Sequence, residues 1–252
     1  MSLFEIIAIF GCGIAAGTIN AVVGSGTLIT FPALLAFHYS PLTANVSNTI
    51  GLVPGSAAGA FGYRRELAGQ RSRAIPLISA SVLGGVIGAI LLLCLPASAF
   101  KAIVPFFIAV ALILLIFQKQ ISARLKGGQR SDQGDQDSVS VVTLVGSLLA
   151  GVYGGYFGAA QGILLLAIYG LTIDDELQRL NSLKVVAAGA VNLVSGIVFI
   201  FAAHVAWAPA GLIAAGSVLG GLLGSHYGRR LPPTALRALI VVVGIVAIIH
   251  LL

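Results

Sequence analysis

The sequence predicts an all-α polytopic membrane protein made of two inverted-topology repeats. Each repeat is a re-entrant or short-helix hairpin followed by three transmembrane helices. Three observations carry this reading. Hydrophobic residues make up 58% of the 252 residues, charged residues only 9%, and the mean hydropathy is +1.04, whereas about a quarter of a soluble domain is charged. One half of the chain recurs in the other. The lysines and arginines, finally, gather on one side of a membrane only if the second copy is turned over. Helices are favoured over a barrel because the apolar runs are continuous, without the alternation of a strand.

The recurrence is clearest between residues 82–103, VLGGVIGAILLLCLPASAFKAI, and 218–239, VLGGLLGSHYGRRLPPTALRAL. Val82, Leu83, Gly84, Gly85, Gly88, Leu95, Pro96, Ala99 and Ala102 return as Val218, Leu219, Gly220, Gly221, Gly224, Leu231, Pro232, Ala235 and Ala238. Upstream, Ala16, Gly17 and Gly24 return as Ala150, Gly151 and Gly158. A period above a hundred residues is a duplicated half rather than a solenoid repeat.

Taken in order, the elements are these. The opening MSLFEIIAIF has no basic n-region and no cleavage site, so it reads as membrane segment rather than signal peptide. No charged residue occurs from Ile6 to Tyr63, and a weak break at His38–Thr43 divides this run where Pro41 ends a helix. The polar segment Arg64–Arg73 leads to an apolar run from Ala74 to Phe100, broken weakly at Leu95–Ser98, and then to Ala102–Gln118. Residues 1–118 form the first repeat. The segment 119–138, rich in Gly, Gln and Ser and mixed in charge, is a flexible cytoplasmic linker. The second repeat, 139–252, has apolar runs over Ser138–Ile173, Val185–Gly228 and Ala238–Leu252. Its polar breaks fall at Asp174–Arg179, His204–Pro209 and Arg229–Pro233.

Eight full crossings would put Lys101, Arg179, Lys184, Arg229, Arg230 and Arg237 outside, six of the 14 basic residues. If stretches 3–37 and 140–171 each enter and leave on one face, only Lys101 stays outside, as the positive-inside rule prefers. Both termini are then periplasmic, and the second VLGG helix is upside down relative to the first. Each of these stretches is too long for one crossing and short for two. Each also has a glycine cluster near its middle: Gly24-Ser25-Gly26 in one, residues 154–162 in the other. Such turns at membrane depth are tolerated where they are packed in protein or line a cavity. Discontinuous helices at matching places in inverted halves mark a substrate site. Gly84, Gly85, Gly88 and their counterparts read instead as close-packing positions.

The residues at 17–35, GTINAVVGSGTLITFPALL, and 44–67, ANVSNTIGLVPGSAAGAFGYRREL, resemble the opening repeat of the sulfite exporter TauE/SafE family. Its second half is similar to residues 150–170, AGVYGGYFGAAQGILLLAIYG, and 179–196, RLNSLKVVAAGAVNLVSG, with Ala159-Ala160-Gln161 standing where a glycine run is common. The likeness covers nearly the whole chain. It implies a multi-pass inner-membrane transporter of sulfur-containing anions such as sulfite or small organosulfonates.

The residues reach an anion by a separate route. Helices starting at the glycine turns aim backbone N–H groups and a partial positive charge at the membrane centre. The expected substrate-binding residues are Asn20, Gly24, Ser25, Gly26, Thr27, Asn48 and Thr49 in the first half, and Tyr153, Gly158, Gln161, Asn181 and Lys184 in the second. Asn48 and Asn181 also read as helix caps, and Lys184 as a side chain snorkelling to the cytoplasmic surface. Thr18 and Thr30 suit bonds to their own helices, Asn192 and Ser195 interhelical bonds. His38, His204 and Trp207 suit the outer interface. The expected function is export of the anion by alternating access. The alternative is a permease for another small anion, such as thiosulfate or a carboxylated sulfonate, in the uptake or the export direction.

An enzyme is not expected. The chain has no HExxH, CxxC pair, GxSxG or P-loop, and its histidines at 38, 204, 226 and 250 lack ligand spacing. No catalytic residue, metal or cofactor is therefore assigned. Cys12 and Cys94 lie in apolar runs and form no disulfide framework. Glu5, at the edge of a run, is the only carboxylate near one, so no direct cation coupling is expected. The expected partners are the small anionic substrate, the lipid bilayer and a second copy in a homodimer. Nucleic acid is not among them, because cytoplasmic loops account for the net charge of +6.

The topology has a direct test. A fluorescent protein fused after residue 128 should light up in the cytoplasm. Alkaline phosphatase fused at the C-terminus should be active, and an inactive C-terminal fusion would reverse the orientation of the second half.

Overall fold

The computed structural model describes residues 1–96, 100, 102–110, 112–113, 116–117 and 139–227. The linker at 119–138, the break at Arg229–Pro233 and the last apolar run at 238–252 lie outside them. Helix is the only regular structure among the described residues. In chain order the elements are α1 (Leu3–Val22), α2 (Thr27–Ala36), α3 (Pro41–Gly62), the single turn α4 (Arg64–Leu67), α5 (Arg71–Cys94), α6 (Val141–Tyr156), α7 (Gln161–Thr172), α8 (Leu177–Ala202) and α9 (Trp207–Tyr227). Residues 102–110 are also helical. Among the described residues four helices, α1, α5, α8 and α9, are long and apolar enough to cross a membrane. The side chains on their outer faces, among them Phe4, Leu83, Phe201 and Leu219, are exposed. A bilayer is the solvent that makes such faces stable.

Both expected hairpins form. The turn after Val22 joins α1 to α2, and the turn after Tyr156 joins α6 to α7. Their arms are unequal, because the glycine turn comes late in each stretch. α2 has 10 residues and α7 has 12, about 15 and 18 Å at 1.5 Å per residue. α1, with 20 residues, reaches about 30 Å and is long enough to cross by itself. Local chemistry sets the helix starts: Ser2, Ser40 and Ser140 each accept a backbone N–H from the third residue on, and at α1 Glu5 completes a capping box.

The two VLGG segments lie in α5 and α9, and each packs against the first hairpin helix of the other half. A Cβ on Gly84 or Gly88 of α5 would collide with the Leu148 or Val152 carbonyl of α6. A Cβ on Gly220 or Gly224 of α9 would collide with the Ile14 or Thr18 carbonyl of α1. These four contacts pair residues that correspond in the duplication. Without side chains in the way, the helix backbones approach closely, and dispersion replaces the hydrophobic effect that lipid cannot supply. Neither half buries its glycine face in itself.

A second reciprocal pair ties the loops. Gln70, just before α5, donates from Nε2 to Ser182 Oγ of α8 at 3.3 Å. The Ala206 N–H, just before α9, donates to Ser47 Oγ of α3 at 2.9 Å. Only the Gln70 side adds charge: Asp175 pairs with Arg73 at 2.9 Å and with Arg179 at 2.9 Å.

Glycine substitution separates packing from propensity. Gly84→Ala and Gly220→Ala should each destabilise the protein by about 1–3 kcal/mol through overpacking. Gly11→Ala, where nothing lies within 4 Å, should stabilise it by about 0.5–1 kcal/mol. Thermal unfolding of the detergent-solubilised protein reads both signs.

Candidate functional site

The site begins with how α1 and α6 stop. At the end of α1 the Val23 and Gly24 N–H groups both donate to the Ile19 carbonyl, at 2.7 and 3.0 Å. At the end of α6 the Phe157 and Gly158 N–H groups both donate to the Tyr153 carbonyl, at 2.9 and 3.1 Å. Gly24 (φ +86°) and Gly158 (φ +77°) then turn the chain through the left-handed region, which a side chain would disfavour. The last carbonyls of each helix are left without a partner of their own.

Partners come from the other half. Asn45 of α3 donates from Nδ2 to the Tyr156 carbonyl at 3.0 Å. Asn181 of α8 donates to the Ala21 carbonyl at 3.4 Å. Lys184, one turn further along α8, places Nζ 3.5 Å from both the Asn20 and Ala21 carbonyls. The turns also touch each other. The Gly162 N–H, in the first turn of α7, donates to the Gly24 carbonyl at 3.1 Å. A Cβ on Gly162 would stand 2.5 Å from Gly24 Cα and 3.1 Å from Lys184 Cδ. Glycine is therefore required where two helix ends and the lysine stem converge.

Lys184 is fully buried, and no ion pair joins it to a carboxylate among the described residues. Snorkelling needs an exposed ammonium, so that reading falls. Around the same junction, Ser25 Oγ and Gln161 Nε2 are buried with no hydrogen-bond partner. A buried ammonium without a counter-charge costs several kcal/mol, and an unsatisfied buried donor about 1–3 kcal/mol.

Several backbone N–H groups at the helix starts are already engaged. The Gln161 N–H donates to the Gly158 carbonyl at 3.2 Å, and the Ile163 N–H to the Ala160 carbonyl at 2.9 Å. In α2 the Leu28 and Ile29 N–H groups go to Ser25 and Gly26. Tight turns consume the groups that a longer loop would have left free.

The expected residues divide accordingly. Gly24, Asn181, Lys184 and the Asn20 carbonyl meet at the junction, and Ser25 and Gln161 are the chain neighbours of its two glycines, Gly24 and Gly162. Asn48 does not face it: its Nδ2 donates to Thr27 Oγ1 at 3.2 Å and its Oδ1 accepts from the Thr30 hydroxyl, tying α2 to α3. Thr49 bonds back to the Asn45 carbonyl at 2.9 Å, and the Tyr153 hydroxyl donates to the Ala159 carbonyl at 2.6 Å. Gly26 and Gly158 shape their turns, Gly26 lying under Ala16. The Asn20 amide is spent on Ser56 Oγ at 3.2 Å. Neither Asn48 nor Asn181 is the N-cap of its own helix, because α3 and α8 start well before them, at Pro41 and Leu177. Thr18, Thr30 and Ser195 make the bonds expected of them, to Ile14, Gly26 and Gly85 carbonyls. Asn45, Gly154 and Gly162 enter the site without having been selected. Asn45 carries no local signal, since its partner lies 111 residues away.

Asn48→Ala should therefore act on stability. It removes the donor to the Thr27 hydroxyl and the side-chain acceptor of Thr30, which keeps only the Gly26 carbonyl, and should cost about 1–3 kcal/mol in thermal unfolding, while the affinity of the folded fraction for anions changes little.

The model of the family described as sulfite exporter TauE/SafE matches residues 9–251. A probable membrane transporter protein, ORF9, of Sinorhizobium sp is 30% identical over 256 residues, covering 99% of this chain and 93% of that one. A probable membrane transporter protein of Haemophilus influenzae is 25% identical over 239 residues, covering 94% and 91%. The probable membrane transporter protein YfcA of Escherichia coli K12 is 25% identical, covering 94% and 86%. No solved structure matches the chain.

Proposed function

The chain belongs to the sulfite exporter TauE/SafE family, and on that premise we propose that it exports a small sulfur-containing anion across the bacterial inner membrane. Sulfite or an organosulfonate is the substrate class. The observation that carries this is Lys184, a buried ammonium with no carboxylate partner among the described residues, at the contact of two glycine turns. Its charge selects an anion. The three sulfonate oxygens suit the ammonium, the Gln161 amide and the Ser25 hydroxyl together.

Alternating access follows from the way the halves are joined. The reciprocal glycine contacts and the reciprocal serine bonds support two repeats related by inversion, since corresponding residues meet on both sides. Rocking of one half against the other opens the junction to each side in turn. The Asp175 ion pairs and the Gln70–Ser182 bond close the side of the basic loops, which the charge bias places in the cytoplasm. Outward movement of a monoanion is driven by an inside-negative potential, about 2.3 kcal/mol per charge per 100 mV.

Proteoliposomes test this. An inside-negative diffusion potential should accelerate efflux of a preloaded sulfonate. Lys184→Gln should weaken binding about 10–100-fold, the worth of a charge-assisted hydrogen bond, in protein whose melting shows it folded. Unaltered efflux in that variant would remove Lys184 from the site.

A further inference from the structure

We infer that Gln161, seated on Gly154, makes this site selective for oxyanions over anions that lack several acceptor oxygens. The inference rests on the anion reading and adds to it the residue that sets selectivity. Lys184 attracts any anion, because an ammonium on a flexible stem recognises charge with little directional demand. Discrimination has to come from a donor fixed in direction.

Gln161 has the required properties. It is the first residue of α7, held there because Ala160 adopts the left-handed conformation (φ +60°) just before it. Its side chain is 3% exposed, and its Nε2 has no partner. A carboxamide nitrogen carries two N–H donors and no acceptor, so what it lacks is an oxygen or another acceptor. The first three N–H groups of α7, those of Gln161, Gly162 and Ile163, cannot serve the ligand instead, since all three are engaged. Gly162 touches Gly24 and the Lys184 stem, so Gln161, Ser25 and Lys184 flank a single backbone contact.

Gly154 makes the arrangement possible. A Cβ built there would overlap the Gln161 amide group. The amide lies flat on the bare backbone of α6 and cannot rotate freely. A site whose buried donor must be satisfied rejects ligands that cannot satisfy it. A spherical halide held by Lys184 leaves this amide unpaired, whereas a sulfonate has an oxygen for each.

The test compares methanesulfonate with bromide, both monoanions, by calorimetric titration of the purified full-length protein in detergent. Wild type should prefer methanesulfonate. Gln161→Leu, which removes the donor, and Gly154→Ala, which displaces it without altering it, should each reduce that preference about tenfold. Bromide affinity should change less than about threefold. Gln161→Glu, with acceptor oxygens where the donor was, should lose methanesulfonate altogether. Melting temperatures identify any variant that fails to fold, and Gln161→Leu with Gln161→Glu suffice if Gly154→Ala does. If wild type binds neither anion, the anion reading falls. If wild type binds both and the preference survives in folded Gln161→Leu, the role of Gln161 is overturned while the anion site stands.

Discussion

A helix that ends inside an apolar layer leaves up to four carbonyl groups without partners, and no water is there to take them. α1 and α6 both end, at Val22 and Tyr156, where the following residues are buried in protein, and much of the architecture follows from it. Each end doubles two N–H groups onto one carbonyl, turns on a glycine, and receives an asparagine from the other half: Asn181 for α1, Asn45 for α6. The halves are tied at the points where either alone would be unsatisfied. The glycine faces of α5 and α9 extend that dependence along the hairpin helices. A folded half on its own would expose both an apolar seam and an uncapped helix end.

Within this near-symmetric frame the chemistry is lopsided. The duplication places Thr49 where the second half has Lys184. Thr49 bonds back to its own helix at the Asn45 carbonyl and contributes no charge. Lys184 reaches across to the end of α1. The negative end of the α1 dipole favours a cation there, but two carbonyls at 3.5 Å compensate an ammonium less than a carboxylate would. The remaining deficit is what an anionic substrate can meet. On the proposed reading, symmetry would supply the hinge and its local breakdown the site.

The sequence made the frame legible because packing and topology are written in residue types with strong physical meaning. The VLGG repeats located the close-packed helices, and Gly24 and Gly158 marked turns that only glycine adopts easily. The individual site residues were harder. Asn48 and Asn45 lie less than one turn apart on α3, and both are buried polar side chains. Only the fold shows that Asn48 is consumed by Thr27 and Thr30 while Asn45 reaches the far turn. Some of the N–H groups at the helix starts are likewise spent locally, those of Leu28, Ile29, Gln161 and Ile163 each on a carbonyl three residues back, while the Gly162 N–H goes to Gly24 of the other turn. Residue type gives hydrogen-bonding capacity, and the tertiary structure decides what is left over.

What is left over also links the site to the seam between the halves. Ser182 and Lys184 are two residues apart on α8, with Ser182 held by Gln70 of the first half and Lys184 resting on carbonyls of the first half's α1. A displacement of α8 that parts Gln70 from Ser182 must therefore move Nζ relative to Asn20 and Ala21. An anion bound to Lys184 stabilises whichever arrangement lets Ser25 and Gln161 reach it as well, and differential stabilisation of that kind is the sole means by which a ligand shifts a conformational equilibrium. Asp175 and its two arginines contribute less to this balance than their charges suggest. They are partly exposed, where an ion pair contributes about 0–1 kcal/mol. The contacts around Gly24 and Gly162 are buried, so under the proposed alternating access the energetic weight of opening and closing would fall at this junction.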